Sequence, residues 1–211
     1  MPPRGARCVS AAFAAHACVD LSTPLHDMTP SDPYTTPYLL VRDIIQRAFG
    51  IRVYNTDLGG RDVGDLDGAS IYIDDDVQID TRLATLLHLF GHTVQWHESA
   101  LYRELGALPL PTAIARFPLR FWTYERMAWR YGLGLLTECG VPHLSGWLRE
   151  AAREDEALLR AALGCGPSRT PLLALRAIPI PPFRPTKFRR RVAGSLVVLL
   201  GDPARRRAPQ R

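Results

Sequence analysis

Two histidines four residues apart, His88 and His92, stand in the stretch Leu83 to Trp96, which reads as a buried helix. Side chains at i and i+4 leave the same helix face with Cβ atoms about 5–6 Å apart. That spacing lets both imidazoles reach one metal ion, at zinc–nitrogen distances of about 2.0–2.1 Å. In zinc peptidases with a His-Glu-x-x-His motif, the glutamate after the first histidine activates water. Here the segment is His88-Leu89-Phe90-Gly91-His92, so Leu89 occupies the general-base position and can neither take nor give a proton.

A catalytic zinc site usually has three protein ligands and an open position. The third ligand expected is Glu125, in Tyr124-Glu125-Arg126-Met127-Ala128 on the next long helix, with Glu138 and Glu104 as fallbacks. Ala128 and Gly132 follow Glu125 at i+3 and i+7. Small residues on that face would let the two helices approach closely. His97 and Glu98, just past the motif, read as surface residues, with an outer-shell role as the alternative.

The elements that must position these groups follow from periodicity. Leu39, Leu40, Ile44, Ile45 and Ala48 recur at helical spacing after Thr36, and Gly50 is a stop signal. Ile51 to Tyr54 and Ala69 to Ile73 alternate as strands, and the Gly- and Asp-rich stretch 57–68 between them reads as loop. Asp80 is the expected N-cap of the histidine helix. A looser region with Pro109, Pro111 and Pro118 follows, then helices over about 119–138 and 145–163. The fold class is α+β with a small two- to three-stranded sheet, an active-site helix and further helices.

Taken together, Ile71-Tyr72-Ile73-Asp74, the helix from Asp80, His88-Leu89-Phe90-Gly91-His92 and Glu125-x-x-Ala128 resemble the ImmA/IrrE metallopeptidase-like family over roughly residues 36–140. The resemblance implies a zincin-like fold and Zn(2+) held by His88, His92 and Glu125. It also implies a link to cleavage of transcriptional repressors. With leucine at the base position, the expectation is a zinc-binding protein with weakened or lost peptidase activity that binds a regulatory protein or peptide. An active endopeptidase would need a different base, for which Glu98, Glu104 and Asp74 to Asp76 are the available acids.

Charge divides the chain. Residues 166–211 carry 11 Arg or Lys and the single acid Asp202, whereas the rest of the chain is net acidic. The expected organisation is a disordered leader (1–33), a folded domain (34–165) and a disordered Pro- and Arg-rich tail (166–211). The tail's triplets, Arg189 to Arg191 and Arg205 to Arg207, offer a third reading, a non-enzymatic module contacting nucleic acid. In the leader, Arg4, Arg7 and the short apolar run Val9 to Ala15 fall short of a secretory signal, and Met28 is an alternative start. The apolar run Val192 to Gly201 is half the ~20 residues a bilayer span needs, so no membrane association is expected. Cys8, Cys18, Cys139 and Cys165 form neither a metal knuckle nor a disulfide framework, which suits a reduced, cytoplasmic setting. Trp96, Trp122, Trp129 and Trp147 read as core anchors.

Overall fold

The computed structural model describes residues 32–59, 62–164 and 175–188. Helix α1 (Thr35–Ala48) leads into strand β1 (Arg52–Thr56). Strands β2 (Gly64–Leu66) and β3 (Ser70–Asp74) follow, and then the long helix α2 (Ile79–Glu98). Two short helices, α3 (Ala100–Gly106) and α4 (Leu110–Arg116), precede α5 (Pro118–Glu138). A 3-10 turn at Pro142–Leu144 opens α6 (Ser145–Ala162). The chain is thus α+β, with six α-helices among the described residues and a small mixed sheet.

The sheet order is β1-β3-β2. β1 runs parallel to β3, from Arg52 opposite Ser70 to Thr56 opposite Asp74, and β2 runs antiparallel to β3. β3 is central, so Ile71 and Ile73 are fully buried. Tyr54 and Tyr72, opposite each other in the register, stack at 5.3 Å. Strand β2 lies inside the stretch expected to be loop. Three residues of Gly-Asp-Leu carry no strand signal of their own, and their pairing is supplied by β3.

Every residue of α2 from Leu83 to Trp96 is buried. A helix enclosed on all sides must be the central one, and its apolar character has that origin. It packs on α1, on the sheet, and most extensively on α5. α6 packs on α5, burying Leu148, Ala152 and Leu159. The expected Asp80 cap is shifted. Gln78 is the N-cap, and Asp80 lies in the first turn with Oδ1 accepting from the Thr81 backbone N–H at 2.6 Å. An acid there still complements the positive helix end. The loose region around Pro109 and Pro111 is organised by α3 and α4.

The stretch 175–188, read from its composition as part of an unpacked tail, lies against the domain without helix or strand. Arg149 Nε donates to Leu175 O at 3.0 Å, and Ile178 N donates to Arg130 O at 3.3 Å. Phe183 packs against Phe49 and His97, and Phe188 against His97. Thr186 N donates to His97 Nε2 at 2.9 Å, Lys187 Nζ pairs with buried Asp67 at 3.1 Å, and Phe188 N donates to Asp67 O at 2.9 Å. Gly68 admits this crossing. Its φ is +96°, and a Cβ there would run into Phe188 and the Thr186 carbonyl. Composition missed the strap because an extended segment packs by individual side chains and leaves no periodic pattern. The leader up to residue 31, residues 165–174 and the Arg-rich end from residue 189 lie outside the described residues.

Candidate metal centre

Helix α2 presents His88 and His92 from one face, one turn apart, and α5 brings Glu125 to them. The close approach is made by small residues. A Cβ on Gly91 would collide with the Ala128 carbonyl, and one on Gly132 would press on the Leu87 carbonyl at 3.0 Å. The helices therefore touch backbone to backbone on the row that Ala128 and Gly132 form.

Three donor atoms converge at that crossing. His88 Nε2 lies 3.0 Å from Glu125 Oε2, His92 Nε2 lies 2.9 Å from His88 Nε2, and His92 Nε2 lies 3.4 Å from Glu125 Oε2. Ligands tetrahedrally arranged on zinc at about 2.0–2.1 Å stand about 3.3 Å from one another. The observed triangle is within a few tenths of an ångström of that size, and the two imidazoles and one carboxylate suit a borderline-soft divalent ion. The residues present therefore fit a metal. All three are buried, Glu125 the least at 9% exposed.

The surroundings prepare His92 in particular. Its Nδ1–H donates to Gln95 Oε1 at 2.9 Å, and Gln95 Nε2 in turn donates to Tyr124 O at 2.8 Å. This relay leaves the Nε2 lone pair directed at the cluster, the tautomer a metal ligand requires. Tyr124 stacks on the His92 ring at 4.2 Å, and its hydroxyl is held by Trp96 Nε1 at 2.8 Å. Trp129 lies against His88 at 4.3 Å. Burial alone would raise the Glu125 carboxyl, but the imidazoles of His92 and His88 outweigh it and hold its pKa down at about 2. Glu125 is therefore an anion at neutral pH, ready to serve as a ligand.

Leu89 is fully buried and points at the sheet, where a Cβ on Gly64 would meet its Cδ1 at 2.6 Å. None of the acids named as substitute bases joins the triad. Glu98 accepts from Tyr131 Oη at 2.7 Å, Glu104 is exposed, and Asp74 accepts from the Asp76 backbone N–H at the end of β3. Asp74 and Asp76 group instead with Asp57. Glu138 is more than three helical turns from Glu125, about 20 Å along α5. His97 belongs to the strap and not to the metal centre. Sequence reasoning missed Gln95, although its i+3 position from His92 was a usable signal. It also missed Asp155, an acid in the apolar row Leu148, Ala152, Leu159 of α6.

The chain matches no family model, no curated protein and no solved structure. Among the described residues no helix is long and apolar enough to cross a membrane.

Proposed function

We propose that this chain is a zinc-binding protein of the metallopeptidase-like type, resembling the ImmA/IrrE family, in which peptide hydrolysis is weakened or lost and the retained site serves binding of a regulatory protein. The observation that carries this reading is the convergence of His88 Nε2, His92 Nε2 and Glu125 Oε2 beside a buried Leu89. A bound zinc ion would supply Lewis acidity and lower the pKa of a coordinated water toward ~7. The chain's own contribution is to fix the His92 tautomer through Gln95, to keep Glu125 ionised, and to pack the Trp129 and Tyr124 rings on His88 and His92. A positioned general base typically adds about 10²–10⁴-fold in rate, and that factor is absent at position 89.

Metal analysis of the purified full chain tests the first half. Near-unit zinc that disappears in His88→Ala is expected, and no zinc in the wild type overturns the reading. A casein-cleavage assay tests the second. Leu89→Glu should bring out chelator-sensitive hydrolysis from a wild-type background near zero. Chelator-sensitive cleavage already present in the wild type would show an active peptidase instead.

A further inference from the structure

A cavity of about 500 Å³ lies between α5 and the start of the strap. Trp122, Arg126, Met127 and Arg130 of α5 line it together with Leu175 and Arg176 of the strap. Its size falls within the range of about 300–1,000 Å³ usual for ligand sites. No acidic residue is among those that line it, although residues 1–165 are net acidic.

The arginines are held in place by the fold. Arg130 Nε donates to Arg176 O at 3.2 Å, Ile178 N donates to Arg130 O at 3.3 Å, and Arg149 Nε donates to Leu175 O at 3.0 Å. These bonds fix the strap beside α5 and bring Arg130 and Arg176 to one cavity. Neither of these two has a carboxylate partner among the described residues. Arg126 is directed to Glu156 at 3.8 Å, longer than the about 2.7–2.9 Å of a charge-assisted hydrogen bond. Arg160 lies over the Trp122 ring at 4.9 Å and adds a fourth guanidinium against that wall.

A guanidinium fork matches a carboxylate in bidentate geometry. Trp122, Met127 and Leu175 supply apolar surface next to the charges. The fitting ligand therefore carries negative charge and an apolar group side by side. Single-stranded nucleic acid is held instead by a long basic groove with a series of stacking aromatics. Here one tryptophan lines the cavity, and Arg160 already lies on it.

We propose that this cavity binds an acidic segment of a protein partner, with a Glu or Asp carboxylate on Arg130 and Arg176 and a neighbouring apolar side chain on Trp122, Met127 and Leu175. The inference rests on the partner-binding half of the proposed function and not on the metal. Trp122, Arg126 and Leu175 also line a second, smaller cavity that reaches Glu125. These three side chains form the wall between the bound segment and the metal centre, so the segment is held beside the triad and not on it.

Calorimetric titration of the full chain with acetyl-Glu-Leu-Glu-Leu-Glu-amide, and with the same peptide carrying Gln for Glu, tests this. The acidic peptide should bind at least about 10-fold more tightly, the factor expected for one hydrogen-bonded charge pair. Arg176→Glu should lose about that factor. Arg176 is exposed and meets Arg130 through its backbone carbonyl, so the strap keeps that bond. Arg47→Glu, an equal charge reversal at an exposed position of α1, should bind like wild type. Both reversals leave residues 189–211 unchanged, so the difference between them reads the cavity. Equal binding of the two peptides, or no binding of either, overturns the inference. So does an equal loss in both variants, or displacement of the peptide by equimolar oligodeoxythymidine. Acidic-peptide binding that Arg176→Glu leaves unchanged overturns this cavity alone and leaves the partner-binding reading standing.

Discussion

Gly91 of α2 and Ala128 of α5 meet so closely that no side-chain carbon fits between the two backbones at that point. This contact sets the distance between the helix carrying His88 and His92 and the helix carrying Glu125. Gly91→Ala must drive the helices apart, and overpacking of this kind costs about 3 kcal/mol or more. Gly132→Ala meets Leu87 at 3.0 Å and should cost clearly less. Urea denaturation gives the ranking, and zinc content should fall in Gly91→Ala even where the variant stays folded.

Gln95 has no charge and does not touch the three donor atoms, yet it decides which nitrogen of His92 carries the proton. Gln95→Leu removes that acceptor and also the side-chain hydrogen bond from Gln95 Nε2 to the Tyr124 carbonyl. Competition against a chromophoric chelator should show a loss of about 10–100-fold in zinc affinity. Unchanged affinity would mean the tautomer is set by something else.

His97 closes the strap as a neutral imidazole. Nδ1–H donates to Thr93 O at 2.7 Å, and Nε2 accepts from Thr186 N. Burial pushes its pKa below the ordinary 6.5, the Thr93 carbonyl partly offsets this, and Arg103 lowers it further. Over the interval from 6.5 down to the folded value, the unfolded chain binds this proton and the folded chain does not. The stabilisation is therefore complete above about pH 6.5 and is lost as pH falls through the folded value. Hydrogen exchange at the Thr186 amide should accelerate on acidification in the wild type. In His97→Phe, which keeps a ring between Phe183 and Phe188, exchange should be fast at every pH.

Cys139 is buried, and burial together with the adjacent Glu138 carboxylate pushes its thiol pKa up to about 12. Only the thiolate reacts readily. Iodoacetamide at pH 8, read by peptide mass spectrometry, should leave Cys139 unmodified in the native chain and alkylate it in denaturant. Rapid native labelling would mean that the C-terminal turn of α5 opens.

Local rules carried the parts of the molecule whose partners are close in sequence. The i and i+4 spacing put His88 and His92 on one face because an α-helix repeats every 3.6 residues. α1 ends before Gly50, as its stop signal indicated, and α5 and α6 fall within a residue or so of their expected limits. Glu125 was legible because Ala128 and Gly132 mark which face of α5 comes closest to α2.

Other features had no local signature. Strand β2 exists because β3 pairs with it, and the strap is held by its contacts with His97, Asp67 and Arg130, residues far from it in sequence. Asp155 reads in the sequence as one more helix acid, and only the packing of α6 on α5 buries it beside Trp129. Residue types and their spacing thus defined which groups could bind a metal. The crossing of α2 and α5 decided that they meet, because contacts between residues 37 positions apart depend on how whole helices pack and not on the period of either one.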